Sequence, residues 1–351
     1  MTVGSFLILS RQRDLSPARS AVGQMVFSLP AGFRVDKFIR SVIGFTLVIE
    51  AAGAVALYAA FWRAGVEDGV WSSIFHSISA FCTAGFSLRN DSFESLSGDY
   101  WVQAILGTLS YLGAMGFIVC VDCWRYVRGK VRAVTLTTKI ILGCTFWMSA
   151  IGTALLYLGE PSLRGLAPDQ RLLAAFFQCM TAITTVGFNT VGIAGLSKAS
   201  LLLIIVLMVI GASPSGTGGG VKCTTLSAFA GVMRSAIRGE TEVAFWGRTI
   251  PLERIWIACA SLGLYLSMLV LGTHLLELTE ASSFEKNFFE AASALGTVGL
   301  SMGITSSLSA LGKLIVIALM AVGRLGPMTL GAALFWRRPE EHNLSDADLA
   351  V

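Results

Sequence analysis

Three stretches decide the reading: FHSISAFCTAGFS at Phe75–Ser87, FFQCMTAITTVGFN at Phe176–Asn189 and FFEAASALGTVGLS at Phe288–Ser301. Each is apolar, too short to cross a bilayer as a helix, and ends in glycine and polar residues. Laid over one another, they agree in phase. A phenylalanine stands ten residues before the key glycine (Phe75, Phe177, Phe289), an alanine five before it (Ala80, Ala182, Ala294) and a threonine two before it (Thr83, Thr185, Thr297). The glycines are Gly85, Gly187 and Gly299, 102 and 112 residues apart. The chain therefore carries an internal repeat of roughly 100 residues.

Longer apolar runs surround these segments, at Ser41–Trp62, Trp101–Trp124, Ile140–Leu158, Ala199–Ala212, Ile255–Leu278 and Leu308–Trp336. Their length and composition predict a transmembrane helix for each. The order long, short, long recurs three times. The predicted fold is an all-α membrane protein of repeated helix–pore loop–helix units around a central pore. The short segments Trp71–Ala84, Leu172–Val186 and Phe288–Val298 enter as re-entrant half-helices.

The bulk composition agrees. Of 351 residues, 54% are hydrophobic and only 14% charged, against about a quarter charged in soluble domains. Mean hydropathy is +0.70. The net charge of +4 is modest and argues for orientation in a membrane, not for nucleic-acid binding. The seven cysteines lack paired CxxC spacing, and Cys120, Cys144 and Cys259 read as small buried hydrophobes. His76, His274 and His342 form no metal-ligand pattern, and no Asp, His or Glu cluster suggests an enzyme. The opening MTVGSFLILS has no basic stretch before it and is not read as a cleavable signal peptide.

Charge sets the topology. The link Arg125–Lys139 holds five basic residues and no acidic one, and residues 1–40 hold six basic and two acidic. Arg234–Arg254 holds four basic and three acidic. On the other side, Arg63–Ser72 has one basic and two acidic residues, and Glu277–Asn287 one basic and three acidic. Lys/Arg excess marks the cytoplasmic side, so all three short segments dip in from outside.

A permeating cation must exchange its water shell for protein oxygens, and backbone carbonyls on an extended, glycine-containing strand supply them. A short helix ahead of such a strand points its partially negative C-terminus at the ion. The candidate ion-binding residues are Thr83, Ala84, Gly85 and Phe86, then Thr185, Val186, Gly187 and Phe188, then Thr297, Val298, Gly299 and Leu300. They resemble the potassium-filter sequence TVGYG with one glycine per strand instead of two. The competing reading is an ordinary glycine loop between helices, and three matches in phase weigh against it.

A second feature is GASPSGTGGGVK at Gly211–Lys222, which interrupts an apolar run. Gly211, Gly216, Gly218, Gly219, Gly220 and Pro214 together preclude a helix. Irregular backbone at membrane depth is tolerated where it lines a cavity, so the segment reads as a gate, with Ser213 and Lys222 included. A phosphate-binding loop would need GK[ST], whereas Val221-Lys222-Cys223 stands here, and no soluble strand precedes it. A cytoplasmic linker is the remaining alternative. Arg324 lies inside the last apolar run. It is read as lining the inner pore and raising a barrier to cations. The alternative is an arginine that snorkels or pairs with a carboxylate. Glu50 is expected in a structural pair, and Asp91 and Asp99 as solvated, cation-attracting charges.

These residues resemble the Trk/Ktr/HKT superfamily of potassium transporters, and most closely its Ktr/Trk membrane subunit. The likeness rests on SISAFCTAGFSL (Ser77–Leu88), TTVGFNTV (Thr184–Val191), GASPSGTGGGVKCTT (Gly211–Thr225), SALGTVGLSMGIT (Ser293–Thr305) and GRLGPMTL (Gly323–Leu330). It implies four pore units, each with a filter glycine, a gating loop in the third and an inner-pore arginine in the fourth. By that resemblance, residues 41–135, 136–245 and 246–338 are units two, three and four, followed by a cytoplasmic tail at 339–351. A step of about 100 residues upstream of Gly85 falls roughly 15–30 residues before Met1. Residues 1–40 are therefore expected to be the end of a truncated first unit and its cytoplasmic link. The resemblance also implies a homodimer in the bilayer, one pore per protomer. It further implies a cytoplasmic regulatory subunit that binds the nucleotide, potassium being the only ion expected on this chain. The expected function is potassium uptake across the plasma membrane, a bacterial inner membrane. The alternatives are a non-conducting partner subunit and a sodium-conducting relative.

Overall fold

The computed structural model describes residues 35–214 and 216–326, with side chains from residue 40 onward. Among the described residues, ten α-helices fall into three sets. The first is α1 (Val35–Arg63), α2 (Gly69–Phe81) and α3 (Tyr100–Val127). The second is α4 (Leu136–Gly159), α5 (Pro168–Thr184), α6 (Lys198–Val209) and α7 (Cys223–Arg238). The third is α8 (Leu252–Thr279), α9 (Phe284–Gly296) and α10 (Ala310–Leu325). A two-residue hairpin, β1 (Ala244–Phe245) against antiparallel β2 (Arg248–Thr249), joins the second set to the third.

Local chemistry starts several of these helices where the chain enters them. Asp99 accepts from the N–H of Trp101 and Val102 at the head of α3, and Thr135, Ser197 and Ser309 cap α4, α6 and α10 in the same way. Pro168 opens α5, where a missing N–H costs nothing. Asp99, expected as a solvated charge, also serves as this helix cap, and Asp91 lies 3.5 Å from Arg89.

Among the described residues, four helices are long and apolar enough to cross a membrane: α1 from Arg40, α3, α4 and α8. Only 11% of the most apolar window of α1 is buried, and Val55 and Trp62 are 72% and 76% exposed. Apolar surface on that scale is tenable against lipid, not water. The short helices show the opposite pattern. In α5 and α9 nearly every residue of the last two turns is buried, including Thr181, Thr184, Glu290 and Ser293. Polar residues inside and apolar residues outside are what a membrane bundle with a polar axis requires.

Each short helix packs between the long helices of its own set, α2 against α1 and α3, α5 against α4 and α6, and α9 against α8 and α10. Neighbouring sets meet where α3 touches α5 and where α6 touches α9. One buried cluster joins the first two sets through Leu57, Phe61, Leu106, Phe177 and Phe188. Another joins the second and third through Met180's neighbours Cys179 and Ile183 with Ile204, Met208, Tyr265, Phe289 and Leu295.

One expected span is corrected. The run Ala199–Ala212 does not cross as a helix. α6 ends at Val209 after 12 residues, the chain becomes irregular, and helix resumes as α7 at Cys223. α7 was not anticipated. Its sequence CTTLSAFAGVMRSAIR is amphipathic, not continuously apolar, so hydropathy alone passes over it. The last run was expected to reach Trp336. Its described part is α10, and residues 327–351, with the expected tail, lie outside the described residues, as do residues 1–34 of the stump and link expected at 1–40.

Candidate ion pathway

The three Thr-x-Gly segments share one backbone geometry. Thr83, Thr185 and Thr297 take φ of 48°, 57° and 51°, and Gly85, Gly187 and Gly299 take 69°, 84° and 94°. The N–H of each threonine returns to the carbonyl three residues earlier (Ala80, Ala182, Ala294) at 3.1, 3.3 and 3.0 Å. The next N–H, of Ala84, Val186 or Val298, returns to the carbonyl five residues earlier (Ser79, Thr181, Ser293) at 2.8, 3.1 and 2.9 Å. This is the Schellman ending of a helix, normally built on glycine. A β-branched residue in the left-handed region is strained by about 1–3 kcal/mol. Three such threonines at equivalent positions are therefore held there by their surroundings.

The segments lie side by side. A Cβ on Gly85 would stand 1.8 Å from the Val186 carbonyl oxygen, and one on Gly187 would stand 2.0 Å from that of Val298. The first strand thus abuts the second, and the second abuts the third, with only glycine fitting at both contacts. A Cβ on Gly299 would meet no described atom within 4 Å beyond its chain neighbours. The residues after the glycines differ. Phe188 and Leu300 are buried in the protein, while Phe86 is 70% exposed among the described residues.

The glycine-rich segment sits directly beneath these strands. Its ends are pinned together by a parallel bridge between Ile210 and Val221 and by the Gly211 N–H on the Val221 carbonyl, 2.9 Å. Between them, three consecutive residues visit the C-termini of the three short helices in turn. The Thr217 hydroxyl donates to the Phe81 carbonyl at the end of α2, 3.2 Å. Gly218 approaches so closely to α5 that a Cβ would fall 2.9 Å from the Thr184 carbonyl, and one on Gly219 would fall 2.1 Å from the Gly296 carbonyl of α9. The strained threonines contribute as well. Thr185 Oγ1 accepts from the Gly219 N–H at 2.9 Å, and Thr83 Oγ1 donates to Thr217 Oγ1 at 3.1 Å.

A receptor for this loop lies in α3 and was not visible in the sequence. Gly116 is non-helical (φ 81°, ψ 164°) and opens the helical ladder there. The carbonyls of Gly113 and Ala114, one turn earlier, accept from the N–H of Thr217 (3.0 Å) and Ser213 (3.2 Å). Gly216 packs against the same place, its Cβ position 1.9 Å from the Ala114 carbonyl. Pro214 lies between these anchors at a turn.

Two cations hold the loop. Lys222 Nζ donates to the Gly218 carbonyl at 2.8 Å, and Arg324 Nη1 donates to the Thr217 carbonyl at 2.7 Å. Among the described residues Arg324 bonds this carbonyl and no carboxylate. Among the described residues Glu50 accepts from the Cys82 thiol, at the end of α2, at 3.5 Å. All the candidate filter and gate residues are thus gathered at one place. A groove of about 480 Å³ elsewhere is lined mostly by apolar residues, Phe146, Leu172 and Phe176 among them, with Ser149, Thr153 and Tyr157.

Outside the membrane, Glu160 anchors the second set. It is 1% exposed and accepts from Ser162 N–H (3.0 Å), Ser197 N–H (3.0 Å) and the Ser197 hydroxyl (2.9 Å). Burial pushes its carboxyl up, but hydrogen bonds from Ser200, Ser162 and Ser197 outweigh burial and bring it down to about 2.

Repeated sets of long and short helices, with an apolar exterior and a polar axis, define an all-α integral membrane protein. The model of the TrkH family, described as "Cation transport protein", matches residues 33–343, and the chain belongs to that family. It is 36% identical over 345 residues to "Ktr system potassium uptake protein B" of Vibrio alginolyticus, covering 97% of this chain and 75% of that protein. It is 36% identical over 306 residues to "Potassium/sodium uptake protein NtpJ" of Enterococcus hirae, covering 84% and 67%. The Ktr system potassium uptake protein B of Bacillus subtilis is 31% identical over 353 residues, covering 99% and 78%. The crystal structure of the potassium transporter TrkH from Vibrio parahaemolyticus superposes with a TM-score of 0.72 over 88% of this chain and 67% of that one, at 21% identity. That likeness establishes the fold. Membership of a cation transport family agrees with the sequence reading of a transporter and not an enzyme.

Proposed function

We propose that this chain takes up potassium across the plasma membrane through the carbonyls of 83–86, 185–188 and 297–300, with the 211–222 loop as gate. The observation that carries the reading is the shared backbone geometry of three strands that abut one another, each fed by the C-terminus of a short helix. Aligned carbonyl ends stabilise a cation at the point where they converge. In the closed arrangement the loop occupies that point, and Lys222 and Arg324 place positive charge below it. Moving the loop aside removes both obstacles together.

Potassium as the substrate is supported by relatives whose names specify potassium uptake. Sodium is the second reading, favoured by the potassium/sodium relative from Enterococcus hirae. Two copies in the bilayer, each with its own pore, and a cytoplasmic nucleotide-binding regulatory subunit complete the proposal. The test is growth of a potassium-uptake-deficient host carrying the full-length gene. Rescue at low external potassium supports the reading, and rescue dependent on added sodium favours the second. Failure to rescue with the protein present in the membrane contradicts both.

A further inference from the structure

The position nine residues before each candidate filter glycine holds His76, Gln178 and Glu290. All three are buried, at 0%, 2% and 5% exposure, on the short helices α2, α5 and α9. Each reaches across to the chain just after its glycine. His76 Nε2 lies 3.2 Å from Ser87 Oγ and 3.4 Å from the Leu88 N–H. Gln178 Oε1 accepts from the Thr190 N–H at 3.4 Å. Glu290 accepts from the Ser301 hydroxyl at 2.8 Å and the Thr305 hydroxyl at 2.5 Å.

We propose that His76, Gln178 and Glu290 are positioning residues that clamp the chain as it leaves each filter strand and so fix the spacing of the filter carbonyls. The proposal rests on the potassium reading above. The chain leaving each glycine is irregular, and N–H and O–H groups that a helix or sheet would satisfy need other acceptors. An imidazole nitrogen, an amide oxygen and a carboxylate have unlike charge and shape. What they share is the ability to accept a hydrogen bond at that point. The position three residues later on the same helix face repeats the theme. Ser79 Oγ donates to the Phe86 carbonyl (2.8 Å), and Ser293 Oγ accepts from the Gly299 N–H (3.2 Å).

The first clamp has a property the other two lack. His76 Nδ1 lies 2.7 Å from the Ser72 carbonyl, which can only accept, so Nδ1 carries the proton. Nε2 faces the Leu88 N–H and is therefore the bare acceptor, and the ring is neutral in this arrangement. A proton on Nε2 would set donor against donor and release Leu88. The Ser72 hydroxyl also lies 3.1 Å from Nδ1, and aromatic rings surround the imidazole among the described residues. Phe61 of α1, Phe75 of α2, Phe93 of the following loop and Phe188 of the second strand stand 5.8, 5.5, 5.0 and 6.4 Å from its ring. The charged group acting on it is Arg89, itself paired with Asp91. External acid in the histidine range should therefore loosen the first strand.

The test uses the full-length protein in proteoliposomes, with rubidium and sodium tracer flux giving the selectivity ratio. His76→Leu and Glu290→Leu should each lower the ratio roughly tenfold, the scale of one lost charge-assisted or buried hydrogen bond. His76→Gln and Glu290→Gln, which keep an acceptor, should restore most of it. In the unmodified protein the ratio should fall as external pH drops from about 7.5 to about 5.5, across the histidine range, and His76→Gln should abolish that fall. Leucine variants with unchanged selectivity overturn the proposal. Should those variants fail to fold, a flat wild-type profile, or one that stays acid-sensitive in His76→Gln, overturns it equally. An unmodified protein that carries no rubidium at any pH defeats instead the potassium reading beneath it.

Discussion

The Arg324 guanidinium donates to the Thr217 carbonyl at 2.7 Å, tying the inner end of α10 to the middle of the glycine-rich loop. The same Thr217 reaches Phe81 with its hydroxyl and Gly113 with its N–H. One residue thus joins the third set of helices to the first through the loop. Replacing Arg324 by Gln removes the charge and weakens the tie. A hydrogen bond from a charged group is worth about 1.5–3 kcal/mol, so the closed state should lose about tenfold or more in relative population. Rubidium uptake should rise accordingly, and Arg324→Lys should fall between the two.

Thr185 makes a separable contribution. Its strained backbone supports the strand, while its hydroxyl accepts from the Gly219 N–H. Thr185→Ser keeps the acceptor and should keep the gate closed. Thr185→Ala leaves a buried N–H without its partner at about 1–3 kcal/mol and should raise resting flux. Flux of the two variants, measured side by side at equal protein density, checks the distinction.

Gly116 sets the receptor for the loop. With φ of 81° and ψ of 164°, the position suits glycine, and Gly116→Ala should cost about 1–3 kcal/mol in the kinked form. A straightened α3 would draw the Gly113 and Ala114 carbonyls back into the helix and away from the N–H of Thr217 and Ser213. The variant should therefore combine a lower melting temperature in detergent with a higher resting flux. A lower melting temperature alone would make Gly116 a matter of stability only.

Glu160 gives the fold a pH dependence on its outer side. Its carboxyl is held at about 2 against an ordinary 4.5. A depressed acid contributes stability that is fully present above about 4.5 and is lost as pH falls through the folded value near 2. Allowing for solvent screening, the contribution is roughly 1–3 kcal/mol. Glu160→Gln should thus be less stable than the unmodified protein at neutral pH, and the gap should close as the solution is acidified from about pH 5 toward about pH 2. Thermal unfolding across that range reads it directly.

Much of this architecture was legible because glycine and threonine leave marks that sequence preserves. A strand needing left-handed backbone two residues apart shows as Thr-x-Gly, and three repeats in phase expose it. The loop at 211–222 was equally visible, since its composition forbids helix. The kink at Gly116 was not. Gly107, Gly113 and Gly116 lie in one apolar run, and nothing local says which of them breaks it. α7 was hidden because it is amphipathic, and α6 was overextended because hydropathy does not register a helix end. The residues at 76, 178 and 290 escaped notice for a different reason. Their shared property is an acceptor at a fixed place, and His, Gln and Glu do not look alike in a sequence.

The central claim is that ions follow the three Thr-x-Gly strands and are stopped by the loop beneath them. Rubidium flux through the full-length protein in proteoliposomes, with and without loop residues 216–219, tests it most directly. The account predicts a several-fold rise in flux on removal, with preference for rubidium over sodium retained because the strand carbonyls themselves are kept. Flux that stays the same or falls, with the shortened protein folded and inserted, would contradict it.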